Sequence, residues 1–170
     1  MVEIVNVLRE QVPALRFIGR RYTHADRDAT GGFTARWQEW FAADRFSVLE
    51  AIGPAPEHGD ARFGLMRFTT AGEFEYWIGM FFPAGTPVPG GFEFVDVPAC
   101  TFGTCWLYGQ PDTGELYGET AHRLCLEQLQ RQGWRIAEAP WFMERYNHPR
   151  FTTPDAHGKV VLDYCVQLAD

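Results

Sequence analysis

Alternating apolar and polar positions predict strands along much of the chain. In the first half they cover about residues 15–22, 62–70 and 73–82, since strand side chains point to opposite faces in turn. Ala71-Gly72 joins two of these strands, and a short link with glycine is typical of a hairpin. The strand over 73–82 is apolar on both faces, so we expect it to be central and covered on both sides. Residues 1–13 form a short lead-in that a proline closes.

Two segments have helical periodicity instead. Between residues 33 and 52 the apolar positions recur at helical spacing, with Thr34 as the N-cap and Gly53-Pro54 as a stop. This predicts one helix with an unusually aromatic apolar face, whose tryptophans either pack in the core or border a pocket. A second helix is predicted over residues 115–132, with Gly133 in the C-cap position.

The second half of the chain repeats the order of elements in the first. A linker rich in proline and glycine, residues 83–91, separates the two halves. A strand region interrupted by a proline, the second helix and two more strands follow it, at about 92–108, 115–132, 141–148 and 159–168. We therefore predict one α+β domain over residues 1–170, built from a duplicated βαββ repeat at about 14–82 and 92–170. The halves would share one mostly antiparallel sheet with two helices on one face. The uncovered face would meet solvent or form a groove near the pseudo-twofold, with ligand held between the halves.

The aromatic content changes this picture from a plain core to a candidate binding site. Aromatic residues make up 15% of the chain, with 14 Phe, 6 Trp and 6 Tyr. This number exceeds what a core of this size usually needs. We therefore expect some of the rings to line a cavity or an interface.

Charge and cysteine content exclude several classes of protein. The net charge of -7 argues against a nucleic-acid or anionic membrane surface and favours cationic or neutral partners. The four cysteines contain no CxxC pair, so we expect reduced thiols and no metal or other cofactor. No apolar run approaches the roughly 20 residues of a transmembrane helix, and no cleavable leader is recognisable. These features indicate a cytoplasmic protein.

The predicted strand at Trp141–Tyr146 carries the most informative polar residue. Alternation places Glu144 on one face between Phe142 and Tyr146, and leaves Arg145 on the opposite, helix-facing or edge side. A carboxylate among rings is costly to bury unless it is paired or protonated. Glu144 is therefore either solvated on an edge strand or the floor of an aromatic pocket. A place near the centre of the sheet favours the pocket.

An ordered set of short segments resembles a known family over nearly the whole chain. The segments are Phe17-Ile18-Gly19, the helix around Trp37–Phe41, Tyr76–Met80, Val88–Phe92, Val97-Pro98-Ala99 and Phe142–Tyr146. The pattern is similar to the GyrI-like small-molecule-binding domain, the effector-binding domain of AraC-type and MerR-type multidrug regulators. The resemblance implies the duplicated βαββ arrangement (SHS2-type fold) and a groove with a glutamate at its base, here Glu144. Without a helix-turn-helix, the chain resembles the stand-alone members.

The resemblance leaves three functions open. The first is binding of bulky aromatic, cationic or neutral small molecules, in a groove whose expected lining residues are Glu144, Tyr146, Phe142, Trp37, Trp77, Trp106, Tyr108 and Met80. The second is a detoxifying hydrolase that opens cyclopropane-type genotoxins, with Glu144 as general base and Tyr146 as donor. The third is a protein partner such as DNA gyrase or a regulator. The histidines lie in loops or on a predicted helix surface, so a histidine-based mechanism has little support.

Overall fold

The chain forms one antiparallel sheet that carries its helices on one face. The computed structural model describes residues 1–170, with eight strands and three α-helices. The strands are β1 (Glu3–Val12), β2 (Leu15–Tyr22), β3 (Arg62–Phe68), β4 (Phe74–Pro83), β5 (Glu93–Val97), β6 (Cys100–Gly109), β7 (Phe142–Tyr146) and β8 (Val160–Leu168). The helices are α1 (Thr34–Ala42), α2 (Arg45–Glu50) and α3 (Glu119–Arg131). The strand order is β1-β6-β8-β7-β3-β4-β2-β5, which confirms the α+β class and places β7 and β3 in the middle.

The N-terminal segment is a strand, so its prediction as a short lead-in was wrong. Strand β1 pairs with β6 along its length and forms one edge of the sheet. Its register with β6 shifts between Ile4 and Asn6. Because that irregularity interrupts the apolar–polar alternation, the segment lacks a clear strand pattern.

The helix predicted over residues 33–52 is two helices. Asp44 has a left-handed backbone, with φ 51°, and ends the path of α1 before α2 begins. Helix α1 is preceded by Phe33 and not by a capping threonine; the Asp28 carboxylate accepts the N–H of Ala35 instead. The predicted end of α3 is confirmed, since Gly133 follows the helix with φ 77°.

All three helices cover the same face of the sheet. Ile78 of β4 packs in one apolar cluster with Trp40 of α1, and Leu162 of β8 packs in another with Cys125 of α3. The two clusters lie on opposite sides of the central pair β3–β7. Neither α1–α2 nor α3 packs over the middle of that pair on this face. A space therefore remains between the two helical units, α1–α2 and α3.

The other face is closed without any α-helix. Its cluster of buried residues includes Phe17 of β2, Met143 of β7 and Phe102 of β6. Arg145 of β7 bonds to Glu10 of β1, which is three places away in the sheet order. Flat strands that far apart would be separated by roughly 14 Å, so the sheet curls around this face. The uncovered face is thus packed, and the prediction that it meets solvent or forms the groove was wrong.

Candidate functional site

Strand β7 presents its two faces to different environments. Phe142, Glu144 and Tyr146 line a large cavity, whereas Met143 and Arg145 are buried on the opposite face. This confirms the predicted alternation. The cavity lies on the face that carries the helices, so Arg145 points away from the helices and its predicted helix-facing position was wrong. The central position of β7 also removes the possibility that Glu144 is an edge residue in open water.

The cavity lies over the middle of the sheet, between the two helical units. Its volume is about 1730 Å³, and it is walled by α1 on one side and by the start of α3 on the other. This is more than the roughly 300–1,000 Å³ that ligand pockets usually occupy. Eleven aromatic side chains line it: Phe33, Trp37, Phe41, Phe68, Phe74, Tyr76, Tyr117, Phe142, Tyr146, Phe151 and Tyr164. Such a lining offers broad apolar contact to a bulky ligand.

Glu144 is the acidic group at the floor of this cavity. The Tyr146 hydroxyl donates to Glu144 Oε2 at 2.5 Å. No arginine, lysine or histidine forms an ion pair with Glu144; Arg62, at the cavity margin, is paired with Glu50 at 3.1 Å. The carboxyl therefore has hydroxyl partners and no counter-charge.

Burial shifts the acidity of Glu144 toward neutrality. The surrounding protein raises the pKa of the Glu144 carboxyl to about 7, and the hydroxyls of Tyr146 and Tyr76 lower it only in part. The same burial, together with the charge of Glu144, raises the pKa of both tyrosines well above the usual range. The two tyrosines therefore stay neutral hydrogen-bond donors, while the carboxyl is poised between its two protonation states.

Tyr76 is fixed in place by contacts from two other elements. Its ring stacks on Phe33 with centroids 4.2 Å apart and planes 2° apart. Its hydroxyl accepts a hydrogen bond from Trp37 Nε1 at 3.0 Å. Trp37 also meets the Tyr146 ring edge-on at 5.0 Å. One wall and the floor thus form a single set of mutually positioned rings.

The α3 wall contributes a polar pair. His122 Nδ1 lies 2.6 Å from the Tyr164 hydroxyl, and the imidazole ring meets the Phe142 ring edge-on at 4.9 Å. Both residues line the cavity. Burial lowers the pKa of His122, so the ring is neutral near pH 7. The sequence pattern places His122 on a predicted helix surface, although its spacing of three residues to Cys125 and seven to Leu129 puts it beside the buried side of α3.

Four of the eight residues expected at the ligand lie outside the cavity. Trp77 is buried on the opposite face, where its indole Nε1 donates to Glu75 at 3.2 Å. Met80 is on the correct face but is fully buried beneath the α1–α2 unit. Trp106 lies under the Arg150 guanidinium at 4.2 Å, and Tyr108 donates to Asp155. The structure brings together only Glu144, Tyr146, Phe142 and Trp37 of the expected set.

The structure adds further lining residues that the sequence pattern did not identify. They include Phe33, Tyr76, Tyr117, His122 and Tyr164. No group of three or more histidine, cysteine, aspartate or glutamate side chains is arranged to hold a metal ion. No helix is long and apolar enough to cross a membrane.

Comparison with known proteins supports the fold. No protein-family model and no curated protein matches the chain. A candidate bacterial transcription regulation protein from Staphylococcus aureus MU50 is 14% identical with TM-score 0.70, covering 97% of this chain and 99% of its own. SAV2435, solved bound to tetraphenylphosphonium, is 12% identical with TM-score 0.71, over 97% and 94%. The EcmrR C-terminal domain is 11% identical with TM-score 0.55, over 97% and 98%. At these identities the similarity establishes a shared fold.

Proposed function

We propose that this chain is a GyrI-like small-molecule-binding domain that holds a bulky, aromatic, cationic ligand in the cavity. The observation that carries the proposal is the position of Glu144. It is a carboxylate at the floor of an aromatic cavity, without a counter-charge of its own. A delocalised cation would supply that charge and would also be attracted by the faces of the surrounding rings.

The fold comparison is consistent with this class of ligand. SAV2435, which shares the fold, was solved with tetraphenylphosphonium, a large lipophilic cation. When each strand number is shifted by four, the strand order reads the same from the opposite end of the sheet. This symmetry supports a duplication in which β2–β4 and β6–β8 form the βαββ repeats, each preceded by one further strand, with the cavity on the pseudo-twofold. Both points favour a multidrug-type binding domain, in keeping with a cytoplasmic role in detoxification or regulation.

Tetraphenylphosphonium binding to the whole chain tests the proposal. We expect calorimetry to show saturable binding that Glu144→Gln weakens by roughly ten- to a hundredfold, because one charge is lost at nearly constant volume. Glu127→Gln, the same change at an exposed position of α3 outside the cavity, is the matched control and should bind like the parent. The neutral compound triphenylphosphine oxide should bind the parent and Glu144→Gln alike. Equal affinity of the parent and Glu144→Gln for the cation would overturn the role of Glu144.

A hydrolase that opens cyclopropane-type genotoxins is the second candidate. Its support is the contact between the Tyr146 hydroxyl and a carboxyl whose pKa is raised to about 7. A base of this kind deprotonates water near neutral pH, and a neutral tyrosine donates to the developing oxyanion. Incubation with a cyclopropane alkylator should then give ring-opened product that disappears in Glu144→Gln. Product at the background rate with the parent protein would exclude this function.

A further inference from the structure

The cavity contains a second polar group besides Glu144, the imidazole of His122. One of its ring nitrogens, Nδ1, is engaged by the Tyr164 hydroxyl at 2.6 Å. The other, Nε2, has no hydrogen-bond partner in the protein, and the ring lines the cavity. Edge-on contact with the Phe142 ring at 4.9 Å restricts the orientation of the imidazole. His122 therefore has one free polar atom in a ring that is held from two sides.

The buried hydroxyl of Tyr164 determines which nitrogen carries the proton. Tyr164 is 6% exposed, and His122 Nδ1 is the one acceptor within reach of its hydroxyl. A buried O–H group that does not donate is costly, so the hydroxyl donates to Nδ1. A neutral imidazole whose Nδ1 accepts carries its proton on Nε2. The cavity wall therefore presents an N–H donor without charge.

The position of this donor is fixed relative to Glu144 by the sheet. Tyr164 of β8 is directly opposite Glu144 of β7, and such partners have Cβ atoms about 5 Å apart. Phe142, which contacts the imidazole, is two residues before Glu144 on the same face of β7. A ligand at the floor can thus meet the carboxyl and the imidazole at the same time.

We propose that His122 Nε2–H is a second anchor of the cavity, which binds a hydrogen-bond-accepting oxygen of the ligand, such as a ketone or amide carbonyl. The proposal rests on the ligand-binding function and narrows its ligand class. The preferred ligand carries a positive group for Glu144 and, across an aromatic ring, a neutral oxygen acceptor for His122. A purely hydrocarbon cation uses the first anchor alone and leaves the N–H unpaired.

Two cations that differ only in a carbonyl group distinguish the contribution of His122 to binding from that of Glu144. (4-Benzoylbenzyl)trimethylammonium carries a carbonyl between its two rings, and (4-benzylbenzyl)trimethylammonium has a methylene at the same place. We expect the whole chain to bind the ketone roughly three- to tenfold more tightly by calorimetry, the effect of one net hydrogen bond. His122→Phe should remove this preference and keep an aromatic ring on the wall. His157→Phe, at an exposed loop position outside the cavity, should keep it.

A second variant distinguishes loss of the His122 anchor from loss of folding. His122→Phe leaves the Tyr164 hydroxyl without a partner, whereas the double variant His122→Phe, Tyr164→Phe leaves no buried hydroxyl unpaired. The double variant should bind both cations with equal affinity. Glu144→Gln should weaken binding of both compounds and retain the preference for the ketone, because His122 is intact. Retention of the preference in either His122 variant would overturn the proposal.

The test distinguishes failure of this proposal from failure of the proposed function. If the parent binds both cations with equal affinity, the His122 anchor is excluded and cation binding stands. If the parent binds neither cation, both are excluded. Long-range proton–nitrogen spectra of the free protein give an independent result. They should show the His122 proton on Nε2, and a proton on Nδ1 would contradict the donor.

Discussion

Gly64 and Glu144 face each other directly in the pairing of β3 with β7, and the missing side chain of Gly64 makes room for the cavity floor. A Cβ atom at Gly64 would overlap the Tyr76 hydroxyl and lie 3.3 Å from Glu144 Oε1. The glycine therefore allows a tyrosine from β4 and a carboxylate from β7 to converge above the strand between them. At this point of convergence burial raises the pKa of the Glu144 carboxyl to about 7, and the tyrosine hydroxyls lower it only in part.

Gly64→Ala should disturb this floor. Tyr76 cannot move freely, because its ring stacks on Phe33 and its hydroxyl bonds to Trp37. We expect a loss of about 1–3 kcal/mol in the free energy of unfolding, as for overpacking elsewhere, with weaker tetraphenylphosphonium binding. Urea unfolding and calorimetry measure the two effects. Gly90→Ala is the control, since a Cβ there meets nothing within 4 Å. Parent-like binding by Gly64→Ala would show that the floor tolerates a side chain.

Trp37→Phe should test the positioning of Tyr76 from the helix side. The substitution keeps an aromatic ring on α1 and removes the indole N–H that donates to the Tyr76 hydroxyl at 3.0 Å. We expect a cost of roughly 0.5–1.5 kcal/mol in unfolding free energy and a few-fold loss of cation affinity. Trp134→Phe, a tryptophan outside the cavity, provides the comparison. Unchanged binding in Trp37→Phe alone would mean that Tyr76 is held by its stacking contacts.

The next residue along β7 has a structural role on the other face. Arg145 donates to Glu10 at 2.8 Å and to Asp163 at 3.0 Å, and Asp163 is fully buried. Arg145→Met leaves the partly buried Glu10 carboxylate without a counter-charge, whereas Asp163 keeps Arg150 at 2.7 Å. We therefore expect the substitution to lower the unfolding free energy by up to about 3 kcal/mol. Chemical denaturation measures this loss. Replacing Glu10 by Met as well should recover part of it, and a fully stable single variant would contradict the role.

Arg145→Met also provides a contrast with the cavity residues. The side chain does not line the cavity, so the folded fraction of the variant should bind tetraphenylphosphonium with parent affinity. Strand alternation sends the sequence neighbours Glu144 and Arg145 to opposite faces, so we expect substitution of Glu144, and not of Arg145, to change cation affinity.

Strand alternation was sufficient to predict which residues of β7 share the cavity floor, but not which other residues line the cavity. It placed Phe142, Glu144 and Tyr146 on one face, and the structure confirms that all three line the cavity. The hairpin at Ala71-Gly72 is also confirmed, since the Thr69 N–H bonds to the Glu73 carbonyl. Alternation predicts that the two faces of a strand differ, but it does not predict which face of the sheet carries the helices. That choice depends on packing between distant segments.

The aromatic residues that were expected in the cavity and lie elsewhere show that alternation alone does not determine which face lines the cavity. Strand β4 is apolar on both faces, so its pattern did not reveal that Tyr76 lines the cavity while Trp77 is buried behind the sheet. Trp106 is paired in register with Asp163, and it therefore shares the face of the buried ion pairs. The sequence pattern did not identify His122 as a cavity residue, because its contact with Tyr164 joins α3 to β8, which is distant in sequence. Each of these placements follows from strand pairing across the whole sheet.

Protonation of Glu144 links the cavity to the pH dependence of stability. The carboxyl has a folded-state pKa of about 7 against an ordinary value of 4.5, so the folded chain holds a proton that the unfolded chain has lost between those values. The contribution of Glu144 to stability is therefore complete below about pH 4.5 and is lost as the pH rises to about 7. The neighbouring tyrosines do not change this, because their raised pKa values keep them neutral throughout that range.

Glu144→Gln should remove this dependence. The variant carries a neutral amide at every pH, so its unfolding free energy should exceed that of the parent by an amount that grows between about pH 4.5 and 7. The difference should level off above pH 7 at up to roughly 3 kcal/mol. Subtracting the two urea-unfolding curves at each pH cancels groups common to both proteins, including His58, whose pKa burial lowers to about 4. A difference that stays constant from pH 4.5 to 8 would show that Glu144 ionises at its ordinary pKa and that the cavity floor is hydrated.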